Sequence, residues 1–504
     1  MAAGLIPARR GMAAAKSLQV GPNLYESIGV TPLVNCRGTF TIITGSLTLP
    51  EVKRAMDEAS RHYVHLDELM LAVGERLAEL TKAEWGIVTA GCAAALTHAT
   101  SACIAGADPE KMQRMPRLDG MKNEVIIPLH SRNVYDHAVR MTGVNIIEIG
   151  SPEQLESAIN SRTAMIMIMS SPRCESGPLS TENICKMARA KSVPVIVDAA
   201  AETLTIPNKH LQRGANMVAY SGGKCLRGPQ SAGLLLGQKD LLQAAWLNSA
   251  PHHAFGRSLK VGKEEIMGML AAVEMWVRRD QQAEWAQWES WLNAIAARVT
   301  AVPGVTTEIL QPEDLSNHAP QLRIKWDGAA LGITGKEVEE RLLNGRPRIA
   351  VAGSSGVRPD NMASSLTIMP YMMQPEDHKI ASQAIHALLS KPPNIATPVR
   401  PTGSPAQLAG SWEVRIDYLV GSSTHHFTIE QSGSGLTGVH DGETLHGGLR
   451  GTVYANEVSL RSSQKIQGTS LSFDFRGTVE GNTMKGTVSM AEYGQAQWSA
   501  TRRV

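Results

Sequence analysis

The chain has 504 residues, 43% of them hydrophobic and 19% charged, with 49 Lys and Arg against 47 Asp and Glu. That length exceeds one ordinary core, so two or three domains are expected. A formal net charge of +2 with no dense basic run lacks the electrostatic footprint of a nucleic-acid binder, and no apolar run approaches the ~20 residues that cross a bilayer. The six cysteines (Cys36, Cys92, Cys103, Cys174, Cys185 and Cys225) form no CxxC pair. They fit reduced thiols in a cytoplasmic protein better than a disulfide framework or a metal site, so no metal is expected.

Residues 1–35 read as an N-terminal arm. Arg9-Arg10 precede a short run of small residues that Lys16 interrupts, so an exported form would require this pair to be the remnant of a leader. Glu51 to Leu80 reads as helices broken near Tyr63-Val64-His65. Short apolar runs follow at Val125–Ile127, Ile146-Ile147, Ala164–Met169, Val193–Val197, Met217–Tyr220 and Gly233–Leu236, with helical stretches such as Thr181–Lys191 between them. Continuous apolar strands spaced by helices predict a mostly parallel sheet covered on both faces. The segment Glu264–Arg279 places Ile266, Leu270, Val273 and Val277 on one helical stripe, expected to face the core.

These elements make up a large α/β domain over 36–290. A smaller α/β domain is expected over 291–392, with a strand at Leu322–Trp326 and helices at Thr334–Leu343 and Pro375–Leu389. Residues 393–408, rich in Pro and Gly, read as a linker. From 409 to 504 the pattern changes to strict alternation: Trp412, Val414 and Ile416 against Glu413, Arg415 and Asp417, and Leu471, Phe473 and Phe475 against Ser472 and Asp474. With Gly481-Asn482 as a hairpin turn, this predicts an all-β antiparallel module closed into a small barrel or sandwich.

Four features in the large domain carry chemistry. Gly91, Cys92 and Ala93 open a helix after the strand-like Gly86-Ile87-Val88, where backbone N–H groups form an anion site that small side chains leave open; a close-packed helix start is the alternative. Asp198 ends the strand Val193–Val197 and points toward the crevice where such sheets bind ligands. A carboxylate there can keep a cofactor pyridine nitrogen protonated, or can cap a helix. Lys224, in Ser221-Gly-Gly-Lys, lies just past a strand between small residues and can reach a cofactor aldehyde, with Ser221 placed to donate to a phosphate. His130 follows the strand Val125–Pro128 and can stack on a cofactor ring.

Asp198 and Lys224 are one strand–helix–strand step apart, with the anion loop upstream. That order resembles the fold-type-I pyridoxal 5′-phosphate (PLP) enzymes, the aspartate-aminotransferase-like superfamily. The segments Ser-Gly-Gly-Lys-Cys-Leu-Arg-Gly-Pro-Gln (221–230), Val-Asp-Ala-Ala-Ala-Glu (197–202) and Gly256-Arg257…Lys260-Val-Gly-Lys263-Glu264-Glu265 are similar to the selenocysteine synthase (SelA)-like family, which includes L-seryl-tRNA(Sec) selenium transferases and D-glucosaminate-6-phosphate ammonia-lyases. The resemblance spans roughly residues 24 to 390. It implies PLP as cofactor, a Schiff base at Lys224, a pyridine partner in Asp198, and phosphate contacts from Gly91, Cys92 and Ser221. It also implies a homodimer or larger assembly with each site at a subunit interface, where Arg257 and Lys260 would serve a neighbour.

Arg37, Arg132, Arg257, Arg346 and Arg348 are the candidate substrate-binding cations, Arg346 and Arg348 through bidentate contacts to a carboxylate or phosphate. The small-molecule substrate expected is an amino acid or amino-sugar acid, and the reaction an α,β-elimination of the ammonia-lyase or dehydratase type. Aminotransferase, selenium-transferase-like, racemase and aldolase chemistries are the alternatives on this scaffold, and a non-catalytic scaffold with a binding module is a further one. Selenium transfer is disfavoured by the short N-terminal arm, and the β module, faintly lipocalin-like, is not a usual part of the family.

Overall fold

The computed structural model describes residues 18–503, so the Arg9-Arg10 question lies outside the described residues. The chain divides into two compact units, Gln19–Ala396 and one built on Thr397–Val504.

The first unit is organised around a seven-stranded sheet of β1 (Trp85–Thr89), β2 (Glu124–Pro128), β3 (Asn145–Ile149), β4 (Thr163–Met169), β5 (Val195–Asp198), β6 (Met217–Ser221) and β7 (Gly233–Gly237), in the order β1-β7-β6-β5-β4-β2-β3. All neighbours are parallel except β7, which runs antiparallel to both β1 and β6. Strands β1, β2 and β7 are buried along their whole length, as an apolar strand between two helical layers must be. The register sets Met169, Asp198 and Ala219 side by side at one sheet edge. Thr89, Gly233 and Ser221 form a rung at the same edge.

Helices α1 (Pro50–Ser60) and α2 (Leu66–Thr81) are separated where the sequence reading broke them, and α3 (Cys92–Ala105) follows β1. The long helix α4 (Lys263–Arg278) buries Ile266, Met269, Val273 and Trp276, whereas Val277 is exposed. The expected stripe was thus rotated: an i, i+3, i+7, i+10 set including Trp276 covers more apolar surface than one ending at Val277.

Helix α5 (Gln281–Val299) leads into a second core. Strands β8 (Thr306–Leu310), β9 (Gln321–Asp327), β10 (Ala352–Val357) and β11 (Asn361–Ile368) form an antiparallel sheet in the order β10-β11-β9-β8. Helices α6 (Gly335–Asn344) and α7 (Asp377–Ser390) belong to the same region, and a reciprocal cap between Thr334 and Glu337 starts α6. Val34–Asn35 pairs in parallel with Ile349–Ala350, and Cys36 is buried with Trp291, Leu292 and Ile324. Residues 34–36 therefore contribute to this smaller core, which no local pattern announced.

The second unit is a closed barrel of β12 (Gly410–Asp417), β13 (Ser422–Ser432), β14 (Gly435–Asp441), β15 (His446–Tyr454), β16 (Glu457–Ile466), β17 (Thr469–Glu480), β18 (Thr483–Ser489) and β19 (Gln495–Arg502). Each strand pairs antiparallel with the next and β19 closes on β12, which settles barrel against sandwich. Trp412, Val414 and Ile416 point inward, and Trp412, Phe427 and Phe475 are fully buried.

Candidate active site

Strand β1 runs into α3 through Gly91, whose φ of 87° lies where a side chain is strained. The turn lets α3 start against the sheet edge, and a Cβ on Gly233 would meet the Gly91 carbonyl carbon at 2.4 Å. The N–H groups of a helix's first turn have no partner within the helix. Here that turn is built from Cys92, Ala93 and Ala94, with no bulky side chain over the donors.

Asp198, at the end of β5, is 3% exposed. Burial raises its carboxyl above the usual range, while the Ala200 N–H at 3.1 Å, the Lys224 charge and the Cys92 thiol at 3.6 Å oppose that rise, and the nearby Glu202 adds to it. No helix follows Asp198 directly; the next begins at Lys209. The helix-cap alternative is therefore removed. Cys92 contributes through two groups: its backbone sits in the first turn of α3 and its thiol, pushed well up by burial, donates to Asp198.

Lys224 is half-buried in the turn after β6. Gly222 N donates to Ala232 O and Gly228 N to Gly222 O, both at 2.8 Å, so the loop folds back onto the start of β7. Residues 40–47 pack over it: Ser46 N donates to Gly223 O at 3.2 Å, and the Gln230 side chain lies where a Cβ on Gly45 or Gly223 would go. Ser221 is half-buried at the end of β6, one strand from β5. His130 lies in a short 3-10 turn after β2; burial and the charge of Arg173 lower its pKa.

Residues 134–256 match the aminotransferase class-V family model. The chain is 32% identical over 335 residues to the D-glucosaminate-6-phosphate ammonia lyase of Salmonella typhimurium, covering 64% of this chain and 88% of that one. The family is thereby shown. This chain belongs to the SelA-like family of fold-type-I PLP enzymes. A 5′-C-glycyluridine monooxygenase-decarboxylase of a Streptomyces species is 29% identical over 337 residues, covering 64% of this chain and 83% of that protein. The L-seryl-tRNA(Sec) selenium transferase of Proteus mirabilis is 26% identical over 215 residues, 38% of this chain and 44% of that protein. A solved D-glucosaminate-6-phosphate ammonia-lyase superposes with a TM-score of 0.64 at 28% identity, covering 73% of this chain and 98% of its own.

As a member of the SelA-like family the protein is an enzyme with PLP as its cofactor. The residues present fit that group. A phosphate has the open first turn of α3, a pyridine nitrogen has a buried carboxylate in Asp198, and an aldehyde has an amine within the electrostatic reach of that carboxylate. Two buried polar atoms beside these groups, His130 Nε2 and Ser46 Oγ, have no hydrogen-bond partner among the described residues.

The arginines divide. Arg132 is committed to Asp136 at 2.6 Å and to Glu148, its side chain only 3% exposed, so it is a structural ion-pair residue and not a substrate cation. Arg348 donates to the carbonyls of Leu343, at 2.8 Å, and Thr31, and so braces the smaller domain. Arg37 is half-buried over the Phe40 ring at 4.7 Å. Arg257, Lys260 and Arg346 are exposed.

Sequence reasoning passed over Ser170, Arg173, Glu202 and His210. Ser170 and Arg173 follow β4 and share its sheet edge with Asp198. Their position after a parallel strand was a usable signal. His210 had none, because it enters through a four-residue helix, Lys209–Gln212.

Proposed function

We propose that this enzyme is a PLP-dependent lyase of the ammonia-lyase or dehydratase type, acting on an amino acid or amino-sugar acid. The observation that carries it is the buried carboxylate of Asp198 at the end of β5, paired electrostatically with Lys224, in a family whose members include an ammonia lyase. When bound, the cofactor supplies an electron sink for the substrate Cα.

The chain's own residues supply the rest. The N–H groups of Cys92 and Ala93, presented by the turn at Gly91, and the Ser221 hydroxyl would hold the phosphate, while the Gly91 N–H is spent on Thr89 O at 2.9 Å. Asp198 would keep the proton on the ring nitrogen, and His130, in the turn after β2, would flank the ring. Lys224 Nζ would hold the aldehyde and is the chain's own group that would take the Cα proton. Arg37, Arg173, Arg257 and Arg346 are the cations we assign to a substrate carboxylate or phosphate.

Assembly as a dimer or larger homo-oligomer is part of this reading. Phe40, Ile42 and Leu47 are exposed in the segment that covers the Lys224 loop, and apolar residues so grouped suit a subunit interface. No described helix is long and apolar enough to cross a membrane; a cytoplasmic location is the reading we adopt.

The test is a screen of the PLP-loaded protein against D- and L-amino acids and amino-sugar acids, measuring ammonia and keto-acid release. Ammonia release with loss of a β-substituent supports the lyase. Amino transfer to an added keto acid would replace it with a transferase.

A further inference from the structure

Glu202, four residues beyond Asp198, is 1% exposed and is the hub of a buried network. Its Oε2 lies 2.7 Å from His210 Nε2. His210 is fully buried and its Nδ1 has no partner among the described residues, so Nε2 is the nitrogen that donates. The Ser170 hydroxyl donates to Glu202 Oε1, and Lys209 Nζ stands 3.5 Å away. Burial opposes ionisation of Glu202, yet the hydrogen bond and electrostatics of His210, the Ser170 hydroxyl and the Lys209 charge bring its carboxyl below the usual value. The Glu202 carboxyl is thus moved in the opposite direction from that of Asp198, which burial raises.

The network ties Glu202 to both ends of the site. Ser170 N donates to Asp198 O at 2.9 Å while its hydroxyl serves Glu202, so one residue fixes both carboxylate-bearing segments. The Cys225 thiol, next to Lys224, donates to Glu202 O at 3.1 Å. Ser221 N donates to Ala200 O at 3.2 Å, locking the turn between them onto β6.

The charged and titratable groups around this pair are few. Lys209 and Arg213 approach Glu202 from the outer side, and both also pair with Glu175. Tyr220 is buried and held protonated, partly by the Glu202 charge, and its hydroxyl accepts from Asn208. Lys224 and Cys92 face Asp198. Two buried carboxyls four residues apart are thus shifted in opposite directions by their surroundings, Glu202 down and Asp198 up.

We propose that Glu202, held by His210 and Ser170, is a positioning residue that acts through Asp198, its fixed negative charge keeping the cofactor ring nitrogen protonated. This rests on the PLP reading of the site. It goes beyond that reading in making the Val-Asp-Ala-Ala-Ala-Glu segment a two-carboxylate device, in which only the first carboxylate touches the cofactor.

The experiment titrates the visible cofactor absorbance of the full-length, PLP-loaded protein against pH. In Glu202→Gln, which keeps a partner for His210, the midpoint falls by about half a unit or more and kcat drops roughly tenfold with KM little changed. Lys209→Gln, at a partly exposed position, removes the compensating cation and moves the midpoint the other way. A packing role alone moves neither midpoint, and unchanged midpoints in both variants overturn the proposal. If Glu202→Gln does not fold, the Lys209→Gln shift decides: upward supports the device, unchanged removes it. A wild-type protein with no visible cofactor band would instead overturn the proposed function on which this rests.

Discussion

Two clusters, one in each unit of the molecule, bury histidines and hydroxyls and treat them in opposite ways. In the barrel, Tyr418, Ser423, His425, His440 and Ser462 form one hydrogen-bonded chain, with His425 Nδ1 2.7 Å from His440 Nε2 and His440 Nδ1 2.6 Å from Ser462 Oγ. All four ring nitrogens in that chain have partners, and Phe427, Phe473 and Phe475 surround His440. At the C-terminal edge of the parallel sheet, by contrast, His130 Nε2 and Ser46 Oγ are buried without partners, and Asp198 is a carboxylate shifted upward. A completed polar chain specifies architecture, whereas an incomplete one beside a shifted carboxylate marks where a ligand finishes the bonding.

The largest effect that tests this contrast is at Lys224. Lys224→Ala should lower turnover by about three orders of magnitude or more, since cofactor anchoring and proton transfer vanish together. Borohydride reduction and peptide mapping of the wild type should place the pyridoxyl label on Lys224; a label on Lys260 or Lys263 would sink the assignment. Asp198→Asn should keep the fold and lose roughly a hundredfold in kcat, because an amide cannot hold the ring nitrogen protonated. Normal turnover in that variant would make the end of β5 a structural feature like the barrel chain.

In the barrel the expected losses are of stability. His440→Leu strands the partners of both ring nitrogens, a cost of about 1–3 kcal/mol for each group left unsatisfied. It should appear as faster hydrogen exchange in the 410–502 peptides with no change in kcat. Acid acts on the same residue. Burial pulls the His440 imidazole down to about 3, below its unfolded value of about 6.5. The folded barrel keeps that ring neutral, so the unfolded chain binds the extra proton. The resulting stability is present above about pH 6.5 and is lost as pH falls toward about 3. Exchange rates that stay level from about pH 7 to about pH 4.5, after correction for intrinsic chemistry, would contradict the burial argument. The smallest effect is expected from removing the barrel: a chain ending at Ala396 should still bind PLP, as equilibrium dialysis would show. Loss of binding in a folded shortened chain would make the barrel a part of the site.

The sequence by itself determined the elements and much of the candidate site. Apolar runs such as Ala164–Met169, short and spaced by helical stretches, read as strands buried on both faces, and strict alternation from Trp412 onward presents one face of each strand to a core. Asp198 and Lys224 were legible because each follows a strand, and a parallel sheet brings such positions to one edge. Tertiary structure decided what local pattern does not encode. Barrel closure depends on β19 finding β12 across the whole module, and the place of Cys36 depends on a strand pair more than three hundred residues apart in sequence. Val277 gave way to Trp276 because the neighbouring surface, not helical period alone, chose the buried stripe. Arg132 left the list of substrate cations because Asp136 and Glu148 lie within its reach. Glu202 and His210 meet only when β5, β6 and a four-residue helix are packed together. Hydrogen-bond partners distant along the chain are fixed by packing, and it is packing that shifts the two carboxyls in opposite directions.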